Sequence, residues 1–192
     1  NRSTLLSISG AYQEATGAWA QMGLYSSDSY AQNKGGSIVF GGQDGATPKQ
    51  YFAGIAGVKE NTTSGNYAGV MKFYTRPSGS TPVERLRIAS TGNVGINQTS
   101  PQRILHIGTS GTAEANIRLQ GGSDYGEIRV KDSDNALTFH YNVGGAGSRE
   151  LFSSNGSTGH FSINCYSYQA LTVTTNENGT NGPEIQLMHN TA

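Results

Sequence analysis

Short triplets that alternate apolar and polar residues recur along this chain and predict β-strands. The clearest lie between Val83 and Ile107, and they are Leu86-Arg87-Ile88, Val94-Gly95-Ile96 and Leu105-His106-Ile107. Alternation with a period of two sends the apolar side chains to one face of a sheet and the middle residue to the other face. The pattern therefore predicts short strands that each place two apolar side chains on a common face.

Turn-forming residues separate these triplets. Thr91-Gly92-Asn93 and the segment Asn97–Pro101 supply the conformations that reverse or offset a chain between strands. Helical periodicity is confined to Ala11–Leu24, where Gly17 and Gly23 weigh against a stable helix. The sequence thus predicts an all-β fold with less than about a tenth of the residues in helices.

The chain also repeats itself. Thr91–Asn97 is similar to Thr158–Asn164, which begins 67 residues later, and Leu105-His106-Ile107 is similar to Leu171-Thr172-Val173. Met71-Lys72-Phe73 matches Leu137-Thr138-Phe139 at a spacing of 66. We infer a first β module with an aromatic N-terminal segment (1–102), a second module (103–168) and the start of a third (169–192). Such repeats predict units stacked along an axis, which gives a rod.

Composition favours self-association over binding to a charged polymer. Charged residues are 14% of the chain, against about 25% in typical proteins, and 13 basic residues balance 13 acidic ones. No net field attracts nucleic acid or anionic membranes, and no segment has the ~20 apolar residues of a membrane helix. With 27 glycines, a single chain has few apolar side chains with which to build its own hydrophobic core. We therefore expect copies of the chain to associate and bury apolar surface between them.

The energetics of burial locate the expected interface. Each triplet offers two apolar side chains worth about 1.5–3 kcal/mol apiece when buried, while ordering the backbone costs about 1–2 kcal/mol per residue. We therefore expect folding and association to be one event, with the triplet side chains on an interchain seam: Leu86, Ile88, Val94, Ile96, Leu105 and Ile107.

The same region carries a family resemblance. The run Glu84–Ile96, followed by Thr99-Ser100-Pro101 and Leu105-His106-Ile107, resembles a repeat common in the shaft and distal regions of bacteriophage tail fibres and related virion appendages. The match covers roughly a fifth of the chain, and Asn97-Gln98 departs from the Gly-Thr that is usual there. Nothing after Leu171 resembles the self-cleaving chaperone domain that often ends such fibres.

The resemblance implies an elongated homotrimeric fibre of stacked β-helical or β-prism-like modules, located in the virion. Its implied role is structural and host-attaching, with other virion proteins and a host surface glycan or receptor as partners. Two alternatives remain open: a tailspike-like polysaccharide depolymerase on a trimeric β-helix, and a purely structural capsid or baseplate component.

Motifs for catalysis or metal binding are missing from the sequence, which predicts a protein that is not an enzyme and holds no cofactor or metal. The histidines stand alone, Asp132–Asn135 lacks the glycine and glutamate of a calcium loop, and Gly144–Gly147 opens no helix. Cys165 is the only cysteine in the sequence, and we interpret it as a small residue at the end of a strand. The four histidines fit ordinary strand or turn positions: His106, His140, His160 and His189.

Two further groups of residues have both a binding and a structural interpretation. Tyr12, Trp19 and Tyr25 cluster near the N-terminus, where flat rings stack on sugars, although aromatic residues also serve cores and interfaces. The cluster Glu84–Arg87 suits a basic receptor patch or, as we expect, ion pairs between neighbouring chains.

Overall fold

A computed structural model describes residues 22–108, 114–131, 136–142, 148–154 and 161–163. Every regular element in these residues is a β-strand, which confirms the predicted all-β fold for the described part of the chain. The described residues contain no helix that could cross a membrane. The chain divides into two compact units, Asn1–Ala115 and Asn116–Ala192, and each contains one sheet.

The first unit contains a six-stranded sheet whose strands lie in chain order. All neighbours are antiparallel except β5 and β6, which run parallel. The strands are β1 (Gly35–Gly42), β2 (Gln50–Lys59), β3 (Gly69–Thr75), β4 (Val83–Ile88), β5 (Val94–Ile96) and β6 (Leu105–Ile107).

The predicted turn residues shape the end of this sheet. Gly92 has a φ of +85° and donates its backbone N–H to Ala89 O at 2.9 Å, closing the turn between β4 and β5. Asn97 has a φ of +54°, a left-handed conformation that asparagine tolerates better than most residues. The loop that follows returns the chain to the start of β6, so that Ile104 O accepts from Val94 N at 2.8 Å.

The strand register places large apolar side chains side by side across the whole sheet. One residue from each strand contributes to a continuous row: Ile38, Ile55, Phe73, Leu86, Ile96 and Ile107. A parallel row two residues further along contains Gly57, Met71, Ile88, Val94 and Leu105. These two rows define the apolar face of the first sheet.

The most buried side chains of the first sheet lie on its opposite face. Ala56, Lys72 and Arg87 are adjacent in the register, and Val70 is two residues from Lys72. Val70 is 3% exposed, Lys72 7% and Ala56 8%. A single chain therefore buries its polar face more completely than its apolar face.

The second unit contains a five-stranded sheet in the order β11-β10-β9-β8-β7. Its apolar face carries Ile128, Phe139, Phe152 and Ile163 in one row, with the two phenylalanine rings edge to face at a centroid distance of 6.1 Å. Glu127 and Thr138 lie on the opposite face and are 5% and 0% exposed. The strands are β7 (Ala115–Gly121), β8 (Asp124–Val130), β9 (Leu137–Asn142), β10 (Ser148–Ser154) and β11 (Phe161–Ile163).

Each sheet contains a strand pair with a shift in register, and these two shifts occur at corresponding positions of the sequence repeat. Between β3 and β4 the register shifts so that Arg85 has no partner residue, and between β9 and β10 it shifts at Leu151. These two residues are 66 apart in the chain, the spacing at which the sequence repeats. The apolar rows correspond in the same way, since Phe73 pairs with Leu86 and Phe139 pairs with Phe152.

Candidate functional site

The six residues predicted for the interchain seam all lie on the apolar face of the first sheet. Leu86, Ile96 and Ile107 occupy one row, and the row beside it holds Ile88, Val94 and Leu105. Ile96 is 39% exposed, Ile88 41% and Leu105 53%. In a single chain this face is therefore open to solvent across three strands.

The second sheet also exposes its apolar face. Phe139, Phe152 and Tyr141 are each about 40% exposed, as is Ile128, and Val130 is 51% exposed. An aromatic side chain buries roughly 150–250 Å² when fully covered, so these three rings alone leave on the order of 200 Å² uncovered. With its aliphatic neighbours the face reaches the several hundred Å² at which an exposed apolar patch marks an interaction site.

Three charged residues of the first sheet form ion pairs within the chain, on the face opposite the apolar rows: Lys72, Glu84 and Arg87. Arg87 donates from Nε and Nη2 to the two carboxylate oxygens of Glu84, the second at 2.8 Å, and Lys72 Nζ lies 3.4 Å from Glu84 Oε2. Lys72 also donates to Asn33 Oδ1 at 2.8 Å, and Arg87 Nη1 donates to Thr99 O. Glu84 thus finds two cations within one chain, Arg87 three residues along the same strand and Lys72 on the adjacent β3, while ion pairs between chains stay a prediction.

This pairing controls the charge state of the cluster. Burial raises the pKa of the Glu84 carboxyl, but the hydrogen bonds and positive charge of Arg87, together with Lys72, outweigh burial and hold the pKa below its usual value. Burial and the nearby Glu84 carboxylate raise the pKa of Tyr74. Glu84 therefore remains ionised and bound to its two cations at neutral pH.

A corresponding cluster surrounds Glu127 on the second sheet. Arg118 Nε donates to Glu127 Oε1 at 2.7 Å, and Arg129 Nη2 donates to Oε2 at 2.6 Å. The guanidinium of Arg118 also lies over the ring of Tyr125, 3.9 Å from its centroid. Burial raises the pKa of Glu127, but the two arginines lower it more, so its pKa lies below the usual value.

A third ion pair joins Lys131 to Glu150 at 3.0 Å, with His140 Nε2 3.8 Å from the same carboxylate. Burial and then the charge of Arg129 hold the pKa of His140 below its usual value. His140 Nε2 also lies 2.9 Å from Thr138 Oγ1. The polar face of the second sheet therefore carries an internal network of hydrogen bonds and ion pairs.

The aromatic residues predicted to contact glycan are only partly placed. Tyr25 is 84% exposed and its ring lies beside Gly23, whereas Tyr12 and Trp19 lie outside the described residues. Tyr51 has the guanidinium of Arg76 over its ring at 5.2 Å. The structure therefore assembles no group of stacking rings around Tyr25 from the residues that it describes.

The candidates for chemistry have structural contacts where they are described. His106 lies in β6, where its Nδ1 accepts from the backbone N–H of Gln102 at 3.3 Å. No group of three His, Cys, Asp or Glu residues that could hold a metal ion occurs in the described ranges. The other candidates lie outside these ranges: Asp132–Asn135, Gly144–Gly147, His160, Cys165 and His189.

One feature that sequence reasoning missed is a polar cleft of about 500 Å³ on the charged face of the first sheet. Lys72, which is buried, and Arg87, which is half-buried, form the part of its lining that we call the floor. The loop from Thr99 to Gln102, Asn33 and Glu60 also line it. The only sequence signal was the Asn97–Pro101 turn. The cleft itself depends on how that loop folds back over β5.

No protein-family model and no curated protein sequence matches this chain. The likeness to virion fibres therefore remains a sequence-based prediction, and the geometry described above is the basis for proposing a function.

Proposed function

We propose that this chain is a subunit of a homotrimeric virion fibre with a structural and host-attachment role. The observation that carries the proposal is the apolar face of the first sheet, where each of the six strands contributes one large apolar residue to a continuous row. Two residues of this row, Ile38 and Ile96, are exposed in the single chain, and the other four are half-buried. A face of this kind, left uncovered in a single chain, marks a surface at which chains associate.

The distribution of charge supports association through this face rather than the opposite one. Glu84 and Glu127 are paired inside the chain with two cations each, so the polar face does not require a partner to neutralise them. Apolar side chains have no such internal alternative, and burying them between chains is favourable by roughly 25 cal/mol per Å². Three copies that turn these faces towards a common axis would bury all of them.

The matching register of the two sheets supports stacked modules. The corresponding shifts at Arg85 and Leu151, together with the corresponding apolar rows, are what two copies of one structural unit would produce. Stacking such units along an axis would extend the apolar seam from one module to the next.

A trimer would strengthen host attachment by presenting the same surface three times. A trimer offers each surface contact three times, and linked weak sites gain about 10²–10⁴ in avidity where geometry lets them engage together. The low charge content suits contacts made by hydrogen bonds to a neutral surface, and no enzymatic step is proposed.

Two measurements on the purified protein test the proposal. Sedimentation equilibrium should give the mass of three chains, and fluorescently labelled protein should bind host cells in a saturable manner. A folded monomer at micromolar concentration would refute the trimer, while a trimer that binds no host cells would leave only the structural role. Release of new reducing ends or unsaturated products from host glycan would favour the depolymerase.

A further inference from the structure

The polar cleft on the first sheet has the features of a small-molecule site. Its volume of about 500 Å³ lies within the ~300–1,000 Å³ range of ligand pockets. Its floor belongs to β3 and β4, and the rest of its lining comes from the loops before β1, after β2 and on both sides of β5. Rigid strands therefore hold its deepest polar groups in place.

The side chains on the floor are fixed by hydrogen bonds before any ligand arrives. Lys72 is 7% exposed, and its ammonium group is positioned by Asn33 Oδ1 at 2.8 Å and Glu84 Oε2 at 3.4 Å. Arg87 is held by Glu84 and by the carbonyl of Thr99. Preorganised donors of this kind bind a ligand without the entropic cost of ordering them.

The balance of charge selects the class of ligand. The cations Lys72 and Arg87 are offset by the carboxylates of Glu84, which pairs with both, and Glu60, which also lines the cleft. A charged ligand of either sign would upset this balance. A neutral ligand rich in hydroxyl groups instead finds donors and acceptors on every side, among them the side chains of Thr91, Ser100 and Gln102.

We propose that this cleft binds a neutral saccharide unit. The inference rests on the proposed attachment function, because it names a surface that the trimer would present to a host glycan. No aromatic ring lines the described cleft to stack on a sugar, so the affinity of one site depends on hydrogen bonds and is weak. Three cooperating sites would compensate through avidity.

The test uses saturation-transfer NMR on the whole 192-residue chain. The probes are methyl glycosides of neutral hexoses and N-acetylhexosamines, with a hexuronic acid and a hexosamine as charged comparisons. We expect transfer to at least one neutral glycoside and weaker transfer to the charged ones. No transfer to any neutral glycoside at millimolar concentration, or preferential binding of a charged one, would overturn the proposal.

Variants locate the binding. Ser100→Trp places an indole at the exposed rim of the cleft, and we expect it to weaken glycoside binding at least about tenfold, equivalent to ~1.4 kcal/mol. Ser78→Trp adds the same ring to an exposed loop that does not line the cleft, and it should bind as the wild type does. If Ser100→Trp fails to fold, Gln102→Ala removes an exposed rim amide instead, and binding unchanged in a folded rim variant would refute the site.

Host-cell binding by the same proteins separates this proposal from the one on which it rests. If the wild type and Ser100→Trp attach equally well, attachment stands and the cleft is not the site. If the wild type does not attach at all, the attachment function fails, and the glycoside spectra alone decide whether the cleft binds sugar.

Discussion

At the scale of single residues, a close backbone contact leaves no room for a side chain at Gly95. It is buried in the middle of β5, and a Cβ atom built on it would lie 2.2 Å from the backbone carbonyl oxygen of Gln98. That carbonyl belongs to the loop that carries the chain from β5 to the parallel strand β6. A side chain at Gly95 would therefore displace backbone rather than a flexible group.

We predict that Gly95→Ala lowers the free energy of unfolding by roughly 1–3 kcal/mol, the usual cost of forcing extra volume into a packed site. Gly69→Ala is the matched control, because a Cβ at Gly69 meets only ordinary contacts at 3.7 Å and beyond. Urea denaturation of both variants checks the prediction. Equal stabilities for the two variants would show that the loop after β5 can move away from the added methyl group at little cost in free energy.

The buried carboxylate of Glu127 makes stability depend on pH. Its pKa is held below the ordinary value of 4.5 in the folded chain, because Arg118 and Arg129 outweigh the effect of burial. The folded state therefore binds a proton less readily than the unfolded state. The stabilisation is complete above pH 4.5 and is lost as the pH falls through the lowered pKa of the folded chain.

We predict that Glu127→Gln is less stable than the wild type at pH 7 by about 1.5–3 kcal/mol, the value of hydrogen bonds to charged groups. The difference should shrink as the pH falls below 4.5, because the wild-type carboxylate then becomes neutral as well. Thermal unfolding between pH 3 and pH 7 measures both effects. A stability difference that stays constant across this range would contradict the account.

At the scale of secondary structure elements, β1 places two neighbouring apolar residues on opposite faces of the first sheet. Ile38 belongs to the apolar row, next to Ile55, whereas its neighbour Val39 points to the opposite face, next to Gly54. Ile38 is 39% exposed and Val39 62%. In this edge strand both faces are exposed in the single chain, so exposure at β1 alone does not show which face association would cover.

Substituting each with aspartate tests the role of the faces. Ile38→Asp places a charge on the proposed seam, where it would be buried in every chain, so we expect loss of the assembly and aggregation or unfolding. Val39→Asp changes a residue of similar size on the same strand and should leave the assembly intact. Sedimentation velocity distinguishes these outcomes, and equal effects of the two substitutions would argue against the apolar face as the seam.

At the scale of the whole molecule, coupling between folding and association makes stability depend on protein concentration. If the folded state is a trimer and the unfolded state a monomer, dilution favours unfolding by mass action. We predict a melting temperature that rises by several degrees over a hundredfold increase in concentration, followed by circular dichroism. A melting temperature independent of concentration would indicate that each chain folds alone.

The alternation of apolar and polar residues was enough to predict the all-β fold and to group the six seam residues on one face. Leu86 and Ile88, for example, are two residues apart in a strand, and a period of two places them on the same side whatever else the chain does. The turn at Gly92 could also be predicted from local sequence, because glycine adopts a positive φ angle without strain.

What the tertiary structure alone decided depends on contacts between distant residues. Local sequence does not reveal that β6 would lie parallel to β5, that Lys72 would reach Asn33 across 39 positions, or that Thr99 would help to enclose a cleft. It likewise did not reveal that Glu84 and Arg87 would be satisfied within one chain. A strand pattern determines which side chains share a face, but strand order and loop closure determine what each face meets.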